Sequence, residues 1–220
     1  MLYSKEIIMK QQVPFIVFDG MDGSGKGTQM RLLEERSQKE QRKIVFTREP
    51  GGVPLAEELR TVFKSPLGMQ ADALTQFLLM WAARNEWMKK FVIPQVTNGF
   101  VVCTDRSDSS TLAYQVYAKE AHELEDEFWR MRRLVFAKHE PSLYVILDVP
   151  AETARERSLA DSTHTSDFDV APLGWYESVR TGFQAFVKGL PDKVVVIDGT
   201  RIPLQIHEEI YSIIARHCGW

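Results

Sequence analysis

A glycine-rich segment near the start of the chain constrains the fold more than any other feature of the sequence. It reads Gly-Met-Asp-Gly-Ser-Gly-Lys-Gly-Thr over Gly20 to Thr28, after the apolar run Phe15 to Phe18 and before a segment of helical period. In a strand–loop–helix unit of this kind, backbone N–H groups and the positive end of the helix dipole face into the turn and can hold phosphate oxygens. The alternative is a tight glycine turn with a solvated lysine, but the flanking strand and helix favour a phosphate-binding loop.

The residues of this loop are the first candidates for a nucleotide site. Lys26 reaches the terminal phosphates as a point charge, and the candidate ATP-binding residues are Gly20, Asp22, Gly23, Ser24, Gly25, Lys26, Gly27 and Thr28. In the general pattern a Ser or Thr that holds Mg²⁺ follows the lysine. Here Gly27 follows the lysine, and the hydroxyl comes one residue later, on Thr28. This sequence pattern is similar to that of adenylate kinases. We therefore expect Mg²⁺ to be held mainly by phosphates and water.

The rest of the chain alternates short apolar runs with longer helical segments, which is typical of a parallel sheet joined by crossover helices. The apolar runs are nearly continuous, as in strands covered on both faces. They predict strands at 15–18, 44–47, 100–104, 143–148 and 194–198. Helices are predicted at 26–41, 54–64, about 70–98, 110–117, 123–138, 151–159, 175–188 and 203–216. In the long helix Leu74, Phe77, Leu78, Trp81, Asn85, Met88 and Val92 are expected to share a face.

Composition and charge exclude several classes of protein. The 220 residues carry a net charge of -3, so the chain lacks the overall positive field that favours nucleic-acid binding. Two cysteines, Cys103 and Cys218, are too few for a disulfide or zinc framework. We find no apolar stretch long enough for a signal peptide or a membrane span, which predicts a cytoplasmic protein without a membrane partner. His139, His164, His207 and His217 show no metal-ligand spacing and are interpreted as surface residues.

Two further motifs follow predicted strands, where ligands bind in open α/β sheets. Thr-Arg-Glu-Pro-Gly-Gly spans Thr47 to Gly52, and Thr-Asp-Arg-Ser-Asp-Ser-Ser-Thr-Leu-Ala-Tyr-Gln spans Thr104 to Gln115. Together with the glycine-rich loop, the segment Pro141 to Val149 and Ile-Asp-Gly-Thr at Ile197 to Thr200, they resemble the thymidylate kinase family across nearly the whole chain.

This resemblance implies a fold, a reaction and an assembly. The fold is a single P-loop NTPase-type domain over residues 1–220, a three-layer α/β/α structure with a five-stranded parallel sheet, an N-terminal extension at 1–12 and a lid at about 155–172. The reaction is transfer of a phosphoryl group from ATP to dTMP, giving dTDP, with Mg²⁺ as cofactor. The expected assembly is a homodimer.

The resemblance also implies roles for particular residues. Arg48 and Arg106 match the arginines that grip the acceptor phosphate and steady the transferring group, and an arginine's planar fork suits that work. With Lys26 and Asp22 they form the candidate catalytic set. Asp22 matches the acidic residue near the sugar 3'-hydroxyl, and Asp105 the one that holds magnesium through water. The positions that line the thymine and deoxyribose pocket are Arg84, Ser110, Thr111 and Tyr114. The alternative interpretation makes Arg48 and Arg106 surface residues and makes Asp108 or Ser109 a simple helix N-cap.

Two departures from the family keep other functions open. Met80 stands where the family has a phenylalanine that stacks on thymine, which favours as an alternative a kinase for another pyrimidine monophosphate. The segment from Ala160 to Pro172 contains no arginine, although bacterial relatives with a glycine at the position of Gly23 carry lid arginines for the ATP phosphates. Arg155, Arg157 or Arg180 would then serve ATP, and Arg157 is the one included among the ATP-binding candidates; otherwise the chain is a catalytically weak nucleotide-binding homologue. Arg130, Arg132 and Arg133 are interpreted as a solvated helix face.

Overall fold

Five parallel strands form one sheet in the computed structural model, which describes residues 14–160 and 171–220. The strands are β1 Phe15–Asp19, β2 Ile44–Arg48, β3 Val101–Asp105, β4 Leu143–Asp148 and β5 Val194–Asp198. Their order across the sheet is β2-β3-β1-β4-β5, with parallel pairing at every step. The five predicted strands are confirmed, and for β4 and β5 both predicted ends agree with the structure. The prediction succeeded because strands buried on both faces consist of nearly continuous apolar runs.

Both faces of the sheet are covered by helices, which gives the three-layer α/β/α fold. Successive strand residues point to opposite faces. Thus Phe15 and Val17 of β1 belong to one hydrophobic cluster, and Ile16 and Phe18 belong to the other. The helices are α1 Lys26–Lys39, α2 Pro54–Lys64, α3 Pro66–Gln70, α4 Ala73–Trp87, α5 Ile93–Thr97, α6 Asp108–Thr111, α7 Glu125–Phe136, α8 Ala151–Ala160, α9 Leu173–Gly189 and α10 Pro203–Cys218.

The prediction of one long helix over about 70–98 is wrong, because the structure divides this segment into several elements. α4 is preceded by the short α3, with Asp72 capping α4 through a hydrogen bond from the Thr75 backbone N–H at 2.7 Å. A π-helical turn, Met88–Val92, then separates α4 from α5. A second π-helical turn, Leu112–Tyr117, follows α6. Such turns shift the side-chain register, so a single 3.6-residue period no longer describes the segment.

Several side chains lie on a different side of their helix than the sequence predicts. Leu74 and Leu78 of α4 are 50% and 52% exposed, whereas Phe77 and Trp81 are buried as expected. Arg132 of α7 is buried, so its assignment to a solvated helix face is wrong. His207 of α10 is also buried rather than on the surface.

The proposed N-terminal extension at 1–12 and residues 161–170 of the proposed lid lie outside the described residues. The described start of that lid, 155–160, is the last part of α8. Within residues 14–160 and 171–220, no helix has the length and apolar character needed to cross a membrane. The cytoplasmic location stays a prediction.

Candidate active site

The sheet order brings three of the sequence motifs to one edge. β2, β3 and β1 are neighbours, so the loops after their carboxyl ends converge. The glycine-rich loop follows β1, the segment from Glu49 to Gly52 follows β2, and the segment from Arg106 to Thr111 follows β3. This is the edge at which open α/β sheets bind ligands.

The phosphate-binding loop is held by its own glycines and by Lys26. Gly20, Gly23 and Gly25 have φ angles of 137°, 78° and 96°, a region that side chains disfavour. Lys26 begins α1, and its Nζ donates to the carbonyl oxygens of Gly20 and Met21 at 2.9 Å each. Burial, reinforced by the positive charge of Arg106, lowers the pKa of Lys26. A cation and a helix N-terminus therefore meet at one loop, as anion binding requires.

A cavity opens beside this loop and collects all of the predicted acceptor residues. Those residues are Asp22, Arg48, Met80, Arg84, Arg106, Ser110, Thr111 and Tyr114, and every one of them lines it. Sequence reasoning missed other lining residues, among them Glu49, Arg60 and Ser107. Four arginines thus face one cavity, which makes it suited to a phosphate-bearing ligand.

Asp22 and Arg106 join the phosphate loop to this cavity. Arg106 Nη2 donates a hydrogen bond to Asp22 Oδ1, and the Tyr114 hydroxyl donates one to Asp22 Oδ2 at 3.0 Å. Arg106 Nη1 donates to the Ser110 hydroxyl at 2.9 Å. Burial disfavours the Asp22 carboxylate, but the positive charges of Arg106 and Lys26 outweigh it and lower the pKa of Asp22. Asp22 is therefore ionised near neutral pH and orients both Arg106 and Tyr114.

Arg84 and Glu49 lie against each other as a buried pair at the back of the cavity. Arg84 Nε lies 2.6 Å from Glu49 Oε1, without the alignment of a hydrogen bond, and both side chains are almost fully buried. Arg84 Nη2 donates to the Thr111 hydroxyl at 2.9 Å, and Ser107 donates to Glu49 at 2.8 Å. The Arg84 Nη1 group is buried and has no hydrogen-bond partner in the part of the chain that the structure describes. A ligand in the cavity can supply the acceptor that this group lacks.

Arg48 and Arg60 line the outer part of the cavity. Arg48 is 57% exposed and pairs with Glu57 at 3.1 Å. Arg60 of α2 donates to the Pro50 carbonyl oxygen at 2.9 Å. Burial, with the positive charge of Arg48 as the next cause, lowers the pKa of Arg60. Two like charges held on the same wall indicate a place for an anion.

Asp19, at the end of β1, accepts several hydrogen bonds and is another residue that sequence reasoning missed. Its carboxylate is fully buried and accepts hydrogen bonds from the Gly20 and Ser110 backbone N–H groups at 2.9 and 3.0 Å. The hydroxyls of Ser109 and Ser110 donate to it at 2.6 and 2.8 Å. Ser109 is thus a hydrogen-bond donor to Asp19. The N-cap of α6 is Ser107, so neither Ser109 nor Asp108 is the helix N-cap that the alternative interpretation allowed. The signal available in the sequence was an acidic residue at the carboxyl end of a buried strand.

Arg157 lies beside the phosphate loop and does not line the arginine-lined cavity. Its Nη1 group donates to the Gly199 carbonyl oxygen at 2.9 Å and lies 3.5 Å from that of Gly23. Arg155 instead donates to the Ala171 carbonyl oxygen, and Arg180 forms a two-point ion pair with Asp148 at 2.8 and 2.7 Å. Of the three arginines considered for ATP, Arg157 therefore has the position nearest the phosphate loop.

Asp105 ends β3 next to the same loop. Its Oδ1 atom is buried and has no hydrogen-bond partner among the described residues. An uncompensated carboxylate oxygen of this kind fits a hydrated divalent cation. Within residues 14–160 and 171–220, no three His, Cys, Asp or Glu side chains cluster as metal ligands.

A phosphate loop at the end of β1 and an arginine-lined cavity beside it define a P-loop phosphotransferase. Comparison with known proteins narrows this class. The family model described as thymidylate kinase matches residues 18–210. The chain belongs to the thymidylate kinase family.

Individual relatives support the same assignment. The thymidylate kinase of Citrifermentans bemidjiense is 32% identical over 191 residues, 84% of this chain and 84% of the relative. That of Dinoroseobacter shibae is 34% identical over 205 residues, covering 93% of this chain and 97% of the relative. The crystal structure of thymidylate kinase from Ehrlichia chaffeensis superposes with a TM-score of 0.70 at 30% identity, covering 92% of this chain and 98% of the other. The predicted family and fold are confirmed.

Proposed function

We propose that this chain transfers the γ-phosphoryl group of ATP to dTMP, giving dTDP and ADP. The observation that carries the proposal is the shared wall between the two sites: Asp22 belongs to the phosphate loop and also holds Arg106 in the acceptor cavity. A phosphate bound by Arg106 would face the terminal phosphate of a nucleotide held at Lys26. Membership of the thymidylate kinase family supports dTMP as the acceptor.

The reaction needs little covalent chemistry from the protein. An oxygen of the acceptor phosphate attacks the γ-phosphorus, and the bond from that phosphorus to the β–γ bridging oxygen breaks. No general base is required, because the acceptor phosphate is already an oxyanion. Lys26 and Arg106 supply positive charge to the oxygens of the transferring group, and one well-placed arginine contributes on the order of 10³ to 10⁵ in rate.

Acceptor recognition is assigned to the residues that line the cavity. Arg48 and Arg60 offer positive charge to the acceptor phosphate at the outer wall. We assign Arg84, whose Nη1 group has no hydrogen-bond partner among the described residues, the role of donor to an oxygen of the base. Met80 covers one side of the base, and Tyr114 and Asp22 lie against the sugar. On the donor side, Arg157 would contact ATP.

We propose Mg²⁺ as the cofactor, held mainly by the ATP phosphates and water. Two side chains fit the ion: Thr28, in the first turn of α1, and Asp105, whose Oδ1 atom has no hydrogen-bond partner within residues 14–160 and 171–220. When bound, the ion would neutralise charge on the β- and γ-phosphates.

The proposal is tested by coupled measurement of ADP formation with dTMP, dUMP, dCMP and UMP as acceptors. We expect the highest kcat/KM with dTMP, and loss of turnover in Lys26→Ala with folding intact. Turnover of another monophosphate but none of dTMP would support the alternative that Met80 raises, a kinase for a different pyrimidine nucleotide. ATP binding without turnover of any acceptor would leave a catalytically weak homologue.

We also propose a homodimer, with α2, α3 and α4 at the interface. These neighbouring helices expose large apolar side chains, which are Leu55, Val62, Leu67, Leu74 and Leu78, each at least half exposed. Several exposed apolar side chains on neighbouring helices are typical of an interaction surface. Sedimentation of wild-type protein and of a Leu74→Glu/Leu78→Glu variant tests it, since only the wild type should sediment as a dimer. A monomeric wild type would contradict the proposal.

A further inference from the structure

The segment that carries Arg106 is strained and must be held by its surroundings. Arg106 has a φ angle of 68°, in the left-handed region that residues with a side chain disfavour. Such a conformation persists only where neighbouring groups fix it. On the side of the cavity, the segment is fixed by its contacts with Asp19 and Asp22, described above. A second set of contacts fixes it on the opposite side.

Asp108 anchors the back of this segment. It begins α6, two residues after Arg106, and its side chain is fully buried. The Tyr144 hydroxyl of β4 donates to Asp108 Oδ1 at 2.7 Å, and Arg132 Nε of α7 donates to Asp108 Oδ2 at 2.9 Å. Both oxygens of the carboxylate are therefore tied to the central sheet and to a packed helix.

Arg132 is itself fixed at several points. Its Nη1 group donates to Glu140 Oε2 at 2.8 Å, and Lys193 Nζ lies 2.7 Å from Glu140 Oε1. Its guanidinium also lies 5.5 Å from the centre of the Phe136 ring. Burial, followed by the negative charge of Asp108, raises the pKa of Tyr144 well above its ordinary value, so Tyr144 keeps the proton that it donates. The network of hydrogen bonds and ion pairs runs from Lys193, next to the start of β5, to the acceptor site.

The same segment holds the acceptor pocket through its other residues. Ser107 donates to Glu49, the partner of Arg84, and Thr111 accepts a hydrogen bond from Arg84. A shift of α6 would therefore displace Arg106 and Arg84 together. Misplacement of catalytic groups by about 1 Å can cost on the order of 100-fold in rate.

We propose that Arg132 is a positioning residue for the acceptor site, acting through Asp108 on the backbone that carries Arg106 and Thr111. Arg132 does not touch the cavity. Its effect should consequently fall on dTMP and the chemical step, and not on the binding of ATP, which we assign to the phosphate loop and Arg157. The inference rests on the proposed function, because it needs an acceptor whose use can be measured.

The test compares Arg132→Met with Arg133→Met, a neighbour on the same helix that is exposed. We expect Arg132→Met to lower kcat/KM for dTMP at least about 10-fold while KM for ATP changes less than about 2-fold. Arg133→Met should match the wild type in both. Kinetics are measured at a temperature where circular dichroism shows each variant to be folded.

A second variant keeps the test decisive if Arg132→Met fails to fold. Tyr144→Phe keeps the ring and removes only the hydroxyl that donates to Asp108, and we expect a smaller loss in the same direction, of about 3-fold in kcat/KM for dTMP, the effect of one modest hydrogen bond. Folded Arg132→Met or Tyr144→Phe with wild-type kcat/KM for dTMP would overturn the proposal, since stability alone would then depend on the network. If the wild type proves inactive with dTMP and active with another monophosphate, the proposed function fails, and the variants are compared with that acceptor instead.

Discussion

Gly23 of the phosphate loop offers a quantitative test of the local geometry. A Cβ atom placed on Gly23 would lie 2.2 Å from the Ala154 carbonyl oxygen, and the φ angle of Gly23 is 78°. Ala154 is a residue of α8, and its own backbone N–H donates to the Pro150 carbonyl oxygen at 3.0 Å. The obstacle is helix backbone, which cannot rotate aside as a side chain would.

The two effects can be added to estimate the destabilisation of Gly23→Ala. The left-handed conformation costs a residue with a side chain about 1 to 2 kcal/mol. The overpacking against α8 costs about 1 to 3 kcal/mol. Together they amount to about 2 to 5 kcal/mol, a large part of the about 5 to 15 kcal/mol that stabilises a typical protein. For a chain of this length the melting temperature should fall by roughly 4 to 20 °C.

Gly27→Ala is the matched control. A Cβ atom on Gly27 meets no atom within 4 Å, and Gly27 lies in the first turn of α1. Alanine there should leave stability unchanged or raise it by about 0.5 kcal/mol. Urea denaturation of the wild type and both variants gives the free energies of unfolding. KM for ATP measures whether the phosphate loop still binds the nucleotide, and we expect it to increase in Gly23→Ala. Equal stability of Gly23→Ala and the wild type would show that the loop does not lie against α8 as described.

Three further predictions concern the site itself. Burial raises the pKa of Glu49 from 4.5 to about 7, partly offset by Arg84, so the folded state binds this proton more tightly than the unfolded chain. The resulting stabilisation is complete below about pH 4.5 and is lost as the pH rises through about 7, by up to about 3 kcal/mol. Melting temperatures of the wild type should therefore fall relative to Glu49→Gln over that range, and a constant difference would mean that Glu49 stays ionised beside Arg84. Met80→Phe should lower KM for dTMP about 5-fold, because stacking of an aromatic ring on a base contributes about 1 to 3 kcal/mol; a higher KM with unchanged stability would refute the assigned place of Met80. Arg157→Met should raise KM for ATP about 10-fold and leave KM for dTMP unchanged, as expected for loss of one charge-assisted hydrogen bond, whereas a change confined to dTMP would contradict its place on the donor side.

Much of the fold could be predicted from local sequence signals. Continuous apolar runs located the five strands of the described residues, and the glycine-rich loop between a strand and a helix located the end of β1 to within one residue. These features depend on residues that are close in the chain. The bounds of α2, which begins at Pro54, were predicted for the same reason: proline is accepted in the first helical turn.

The parts that could not be predicted depend on partners that are distant in the chain. Arg132 looks like one of three solvated arginines, because its burial follows from Asp108, 24 residues earlier. Asp19 receives its donors from Ser109 and Ser110, about 90 residues later. The break between α4 and α5 was hidden by a π-helical turn, which helical periodicity does not show.

The central claim is that Arg106, held by Asp22 of the phosphate loop, binds the acceptor phosphate. Equilibrium titration of dTMP into the protein without ATP measures this most directly, with the wild type, Arg106→Met and the exposed Arg133→Met compared under one set of conditions. We expect Arg133→Met to bind like the wild type and Arg106→Met to bind at least about 30-fold more weakly, since removing one partner of a buried charged contact costs about 2 kcal/mol or more. Equal affinity of folded Arg106→Met and the wild type would contradict the claim.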